Sequence, residues 1–192
     1  MLDTTHDSLR LHPELQDLFA RAESRHLTDD EFELYLAVAE EHAERVTAAQ
    51  EMKANDAQIV RNIITDLYAI YPYAQHHNLA MPKCIRDVRY VTAYATLAML
   101  MGDPKWFADK LLIWMKTILQ SFEYPDIPAG TSRRLNPEPE VRTALASLKS
   151  NQRSIYECYF RLKADLKKTL SPAAFNEMET YLQLPIDILS ND

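Results

Sequence analysis

The stretch Lys83-Cys84-Ile85-Arg86-Asp87 gathers more chemistry than any other part of this chain. A cysteine in the first turn of a helix faces unpaired amides and the positive end of the macrodipole, which favours the nucleophilic thiolate. Lys83 and Arg86 add positive charge beside Cys84, and Asp87, three residues on, projects from nearly the same helix face. A carboxylate there can accept hydrogen bonds from several N–H groups of a ligand held by the sulfur. Arg86 offers a bidentate fork to a ligand carboxylate, and Lys83 a point charge. C-x-x-D alone also describes a small residue at a helix start followed by ordinary surface charges.

Other chemistry-bearing residues read differently. His76-His77 would need a third ligand at a recognisable spacing to hold a metal, and none follows, so they read as exposed loop histidines and no metal is expected. A thiol-imidazole pair of Cys84 with His76 or His77 would need an oxyanion site for acyl transfer, which the sequence does not supply. The chain is therefore not expected to be an enzyme. Tyr90, Tyr94, Trp106, Phe107 and Trp114 could line a planar ligand or simply fill a helical core. Cys158 sits within Ile155-Tyr156-Glu157-Cys158-Tyr159-Phe160 and reads as a buried structural cysteine in mid-helix.

The elements that position these residues are helical. With glycine only at 102 and 130, hairpin-rich β architecture is disfavoured. A short helix is expected over Leu15 to Ala22, and Thr28-Asp29-Asp30-Glu31 is a capping box that opens a long one. Asn55-Asp56 is read as restarting a helix that carries Ile59, Val60, Ile63, Ile64 and Leu67, stopped at Tyr71-Pro72-Tyr73. After the link from Ala74 to Pro82, a helix is predicted from about Cys84 to Met101, ending at Gly102. Asp103-Pro104 opens the next helix, to about Phe122. Tyr124 to Pro139 reads as the longest irregular connection, Asn136-Pro137 starts a helix through Ile155 and Leu162, and Ser171-Pro172 starts the last one.

The 192 residues suffice for one core. Residues 1–27 are read as an N-terminal extension and 28–192 as the domain. A formal charge of -7 repels a phosphate backbone, and Arg133-Arg134 and the Lys163 to Lys168 stretch read as solvated helix ends, so no nucleic-acid partner is expected. No apolar run approaches the roughly 20 residues of a membrane span. The start MLDTTHDSLR lacks the basic and apolar regions of a signal peptide, and the two widely separated cysteines suit a reducing compartment, so a cytoplasmic location is expected.

Read together, Leu67-Tyr68-Ala69-Ile70-Tyr71-Pro72-Tyr73, then Lys83-Cys84-Ile85-Arg86-Asp87, then Tyr90-Val91-Thr92-Ala93-Tyr94 resemble the phycobiliprotein family. Met101-Gly102-Asp103 resembles that family's helix ending. The resemblance to phycocyanin and allophycocyanin subunits runs from about Thr28 to Leu189 in element order, and the chain is read as a divergent member. The family's link before the cysteine is longer and contains glycine, whereas Ala74 to Lys83 has none.

The resemblance implies an all-α, globin-like domain with an N-terminal helical arm. It also implies assembly with other phycobiliprotein-type subunits, or with itself as a dimer or higher oligomer, and a covalent bilin such as phycocyanobilin. Cys84 matches the attachment cysteine, Asp87 the carboxylate on the pyrrole nitrogens, and Arg86 and Lys83 the propionate contacts. The function implied is light harvesting or energy transfer at the cytoplasmic face of the thylakoid membrane. The short link favours a second reading, a pigment-free interaction module in phycobilisome assembly, turnover or regulation.

Overall fold

Local capping chemistry sets most helix boundaries in the computed structural model, which describes residues 9, 12–71, 80–121, 148 and 150–190. Among these residues all regular structure is helical. Helix α1, Pro13–Arg21, has proline at its first position and buries Leu15, Leu18 and Phe19. Helix α2, Asp29–Val38, opens on the expected capping box: Glu31 N–H donates to Thr28 Oγ1 at 3.3 Å, and Thr28 N–H donates to Glu31 Oε2 at 2.9 Å. Arg25 donates to both oxygens of Glu31 at 2.7 and 2.8 Å, and this hydrogen bond is the chief reason the carboxyl is lowered to about 2.

The first helix break falls elsewhere than expected. The chain leaves α2 at Ala39, makes a single tight turn over Glu40–His42, and enters helix α3, Ala43–Ile70, which runs straight through Asn55-Asp56. Those two residues do not cap because their side chains are engaged otherwise: Asn55 donates back to Glu51 O at 2.8 Å, and Asp56 is buried against other elements. Tyr71, in extended conformation before Pro72, stops α3 as the sequence predicts.

Helix α4, Ala80–Met101, begins four residues before the predicted Cys84. Pro82 is its third residue, a position whose N–H has no intrahelical partner, so proline there costs no hydrogen bond. At the other end Gly102 adopts φ +67°, Asp103 N–H reaches Ala98 O at 2.9 Å and Gly102 N–H reaches Met99 O at 3.1 Å. This Schellman arrangement requires a left-handed residue, which glycine supplies. Asp103 then caps helix α5, Pro104–Phe107, by accepting from Trp106 N–H at 2.8 Å. A π-helical turn, Ala108–Leu112, leads into helix α6, Ile113–Ser121. Helix α7, Ser150–Thr169, and helix α8, Pro172–Leu189, complete the described chain, Ser171 capping α8. The expected connection from Tyr124 to Pro139 and the helix start at Asn136-Pro137 lie outside the described residues.

Packing centres on α3 and α4, which run antiparallel: Asp56 meets Thr92 midway along the pair, and Tyr68 meets Cys84 where α3 ends and α4 begins. Helix α8 lies against both, and α7 against α3 and α8. Polar pins join the layers. Tyr35 Oη donates to Leu100 O at 2.8 Å, Tyr71 Oη to Glu157 Oε1 at 2.7 Å, and Glu51 holds both N–H and Oγ of Ser171 at 2.7 and 2.8 Å. The core runs through all of these helices, including Leu15, Leu18 and Phe19 of α1. Among the described residues no helix is long and apolar enough to cross a membrane.

Among the described residues Asp56 is a deeply buried charge, 2% exposed at its side chain, with His26 Nε2 3.1 Å from Oδ2. Thr92 Oγ1 donates to the same oxygen at 3.1 Å and Arg89 Nε at 3.5 Å. Burial pulls this carboxyl up, but the hydrogen bond and charge of His26, with Arg89 and Thr92, outweigh it and hold it below its ordinary value. His26 precedes α2, so the contact fastens the segment between α1 and α2 to the centre of α3 and α4.

Because the folded carboxyl lies below an unfolded aspartate's pKa of about 4, its stabilisation is present above that value and fades as pH falls through the folded one. Asp56→Ala should cost about 3 kcal/mol at neutral pH, since it leaves His26 and Thr92 facing a cavity. Urea unfolding of both proteins across the acid range measures this, and a gap that fails to narrow below about pH 4 contradicts it.

A candidate thiol site on helix α4

Helix α4 presents Lys83, Cys84, Arg86 and Asp87 in sequence, but its early start moves Cys84 to the fifth helical residue. The expected first-turn position, with its dipole-lowered thiol, is therefore corrected: the macrodipole acts mainly within the first turn. Burial pushes the Cys84 thiol up, the hydrogen bond from Tyr68 pulls it back, and the charge of Asp87 raises it further. The net direction is upward, towards the protonated thiol.

The sulfur is half-buried, with Tyr68 Oη donating to Sγ at 3.2 Å. On the outer side Arg86 spends its guanidinium on its neighbour, Nε and Nη2 lying 2.8 and 2.6 Å from Asp87 Oδ1. The side chains are 55% and 42% exposed, so this is a surface pair that solvent screens and that contributes little to stability. Arg86 also lies over the Tyr90 ring, 5.8 Å from its centroid. Lys83 is exposed beside them. The four predicted residues thus share a stretch of one helix, with a thiol at the core boundary and a neutralised charge pair outside it.

Tyr68 was not singled out from the sequence, although it stands in the segment that carries the family resemblance. The antiparallel run of α3 into α4 is the signal that locates it, since residues near the end of one helix oppose residues near the start of the next. His26 and Asp56 were also missed, and their meeting across 30 residues has no local signature.

The remaining candidates separate clearly. Cys158 is buried in mid-α7, and burial together with the nearby Cys84 charge keeps its thiol strongly raised. Tyr94 stacks on Trp106 with centroids 5.4 Å apart and donates to Glu23 at 2.9 Å, and Phe107 is fully buried. These three are packing residues. Trp114 and Ile113, by contrast, are 61% and 54% exposed on α6. Among the described residues no cluster of three histidine, cysteine or acidic side chains could hold a metal ion, and His76 and His77 lie outside them.

The fold and site define an all-helical protein with a half-buried thiol next to a carboxylate–guanidinium pair on the α3–α4 seam. Residues 19–131 match the family described as phycobilisome protein, and the chain belongs to that family and shares its globin-like fold. It is similar to the allophycocyanin beta chain of Anabaena variabilis, 30% identical over 122 residues that cover 56% of this chain and 69% of that one. The allophycocyanin beta chain of Thermosynechococcus vestitus is 31% identical over 114 residues, 53% of this chain and 65% of that one. The C-phycocyanin-3 beta subunit of Microchaete diplosiphon is 24% identical over 110 residues, covering 51% and 64%. The chain thus spans about two thirds of the length of these relatives. No solved structure matches it at a significant level.

Asp87→Asn removes the negative charge that raises the thiol, so the pH midpoint of Cys84 alkylation should fall, by about 0.3 units for an exposed charge in water. Iodoacetamide rates read by mass spectrometry on the Cys84 peptide check this. An upward shift would contradict the electrostatics described.

Proposed function

We propose that this chain carries a linear tetrapyrrole, a bilin such as phycocyanobilin, as a thioether on Cys84, and serves light harvesting or energy transfer without catalysing a reaction. The observation that carries the reading is the thiol, carboxylate and guanidinium grouped within one turn of α4, in a chain of the phycobilisome protein family. The donor set fits the group: a sulfur for the covalent bond, a carboxylate for N–H donors and cations for propionates. When bound, the bilin supplies visible absorption through its conjugated chain.

Attachment needs the Cys84 sulfur to add across a carbon–carbon double bond, its proton being replaced by one taken up at the adjacent carbon. No leaving group or oxidant is involved. Asp87 would accept from the pyrrole N–H groups, and Arg86 with Lys83 would pair with the propionates. For this the Arg86–Asp87 pair must open, and its exposure to solvent makes that cost small. Each charge then exchanges its neighbour for a ligand group. Pairing with other phycobiliprotein-type subunits, or with itself, at the cytoplasmic face of the thylakoid completes the reading, and the exposed Ile113 and Trp114 offer apolar area for such a partner.

The satisfied Arg86–Asp87 pair is also what favours a second reading, in which the chain holds no pigment and acts as an interaction module in phycobilisome assembly, turnover or regulation. Producing the chain together with bilin-synthesis and attachment enzymes separates the two. Zinc-enhanced fluorescence on a denaturing gel should mark the wild type and Cys158→Ala and vanish in Cys84→Ala. Wild type no brighter than Cys84→Ala would sink the pigment reading and leave the interaction module.

A further inference from the structure

Tyr68 is 8% exposed, its ring packed in the core and its hydroxyl directed at Cys84 Sγ from the α3 side. The antiparallel seam fixes this meeting, because Tyr68 lies in the last turn of α3 and Cys84 early in α4. The phenol therefore restrains the sulfur from the α3 side. It also favours the ionised sulfur over the thiol, since a hydrogen bond to a charged acceptor is about twice as strong as one to a neutral acceptor.

Nothing else described at the site does this. Burial and Asp87 both disfavour the thiolate, Arg86 is engaged by Asp87, and Tyr68 is the group that acts in the opposite sense. Lys83 extends into solvent, where its charge is screened.

We infer that Tyr68 is the positioning residue for the pigment-bearing thiol, holding Cys84 Sγ from the α3 side and favouring the ionised sulfur that attachment needs. The inference rests on the pigment reading above. In the addition, the sulfur loses its proton to solvent, its electron pair forms the S–C bond, and the displaced π pair takes up a proton at the neighbouring carbon. Tyr68 keeps its own proton throughout, so it positions and does not catalyse.

The test is the pH dependence of Cys84 alkylation by iodoacetamide in the full chain, read at the Cys84 peptide by mass spectrometry. Tyr68→Phe keeps the ring and removes the donor. Its midpoint should rise by about half to one unit, with alkylation at neutral pH roughly three- to tenfold slower and the high-pH plateau unchanged. An unmoved midpoint, or a collapsed plateau, overturns the inference. Replacing Tyr68 by 4-aminophenylalanine, which restores an N–H donor, should bring the midpoint back towards wild type, whereas 4-methylphenylalanine should not. Equal behaviour of those two replacements also overturns it, whatever happens to the fold of Tyr68→Phe.

Bilin attachment during co-production with limiting attachment enzyme should be severalfold slower in Tyr68→Phe than in wild type. If the midpoint shifts but wild type takes no bilin, the pigment role of Tyr68 is overturned together with the pigment reading. If wild type takes bilin and Tyr68→Phe takes it equally fast, the inference alone is overturned.

Discussion

The antiparallel packing of α3 on α4 is the constraint from which the rest of the molecule follows. It brings Asp56 to Thr92 and Arg89 at the middle of the seam, and it brings Tyr68 to Cys84 at one end of it. The first of these contacts is structural. A buried carboxylate needs partners, and here one of them, His26, comes from the segment between α1 and α2, so its contact with Asp56 Oδ2 also fixes that segment against the body. The second contact sets the chemistry of the site, because a core hydroxyl meets a half-buried thiol where the helix pair approaches the surface.

Stability and reactivity are balanced differently at these two places. Asp56 is enclosed, and its partners hold it charged despite the desolvation that opposes this. Cys84 is only partly enclosed, and burial with Asp87 keeps its thiol protonated more than an exposed cysteine would be. A thiol of this kind resists adventitious reaction and depends on its surroundings for activation. The Arg86–Asp87 pair beside it is exposed and weakly held.

Much of the fold was legible because it is written locally. Thr28 with Glu31, Tyr71 before Pro72, Gly102 after Met101, Asp103-Pro104 and Ser171-Pro172 each satisfy or forbid a particular backbone hydrogen bond, and each marks an element boundary. The failures are cases where a distant partner overrides the local signal. Asn55-Asp56 looks like a helix start, but Asp56 is consumed by His26 and Thr92 and the helix continues. Pro82 looks like a residue before a helix, but the third helical position tolerates it, and moving the start to Ala80 takes Cys84 out of the first turn. The site residues Lys83, Cys84, Arg86 and Asp87 were legible as a motif, whereas the direction of the thiol's shift and the role of Tyr68 depend on an inter-helix contact that no spacing encodes.

Whether Cys84 is the attachment point is decided most directly by peptide mass spectrometry on the chain isolated after co-production with a bilin and its attachment enzymes. The peptide containing Cys84 should carry the mass of one bilin, and the peptide containing Cys158 should remain unmodified. A bare Cys84 peptide, or a bilin found on Cys158 instead, would contradict the assignment.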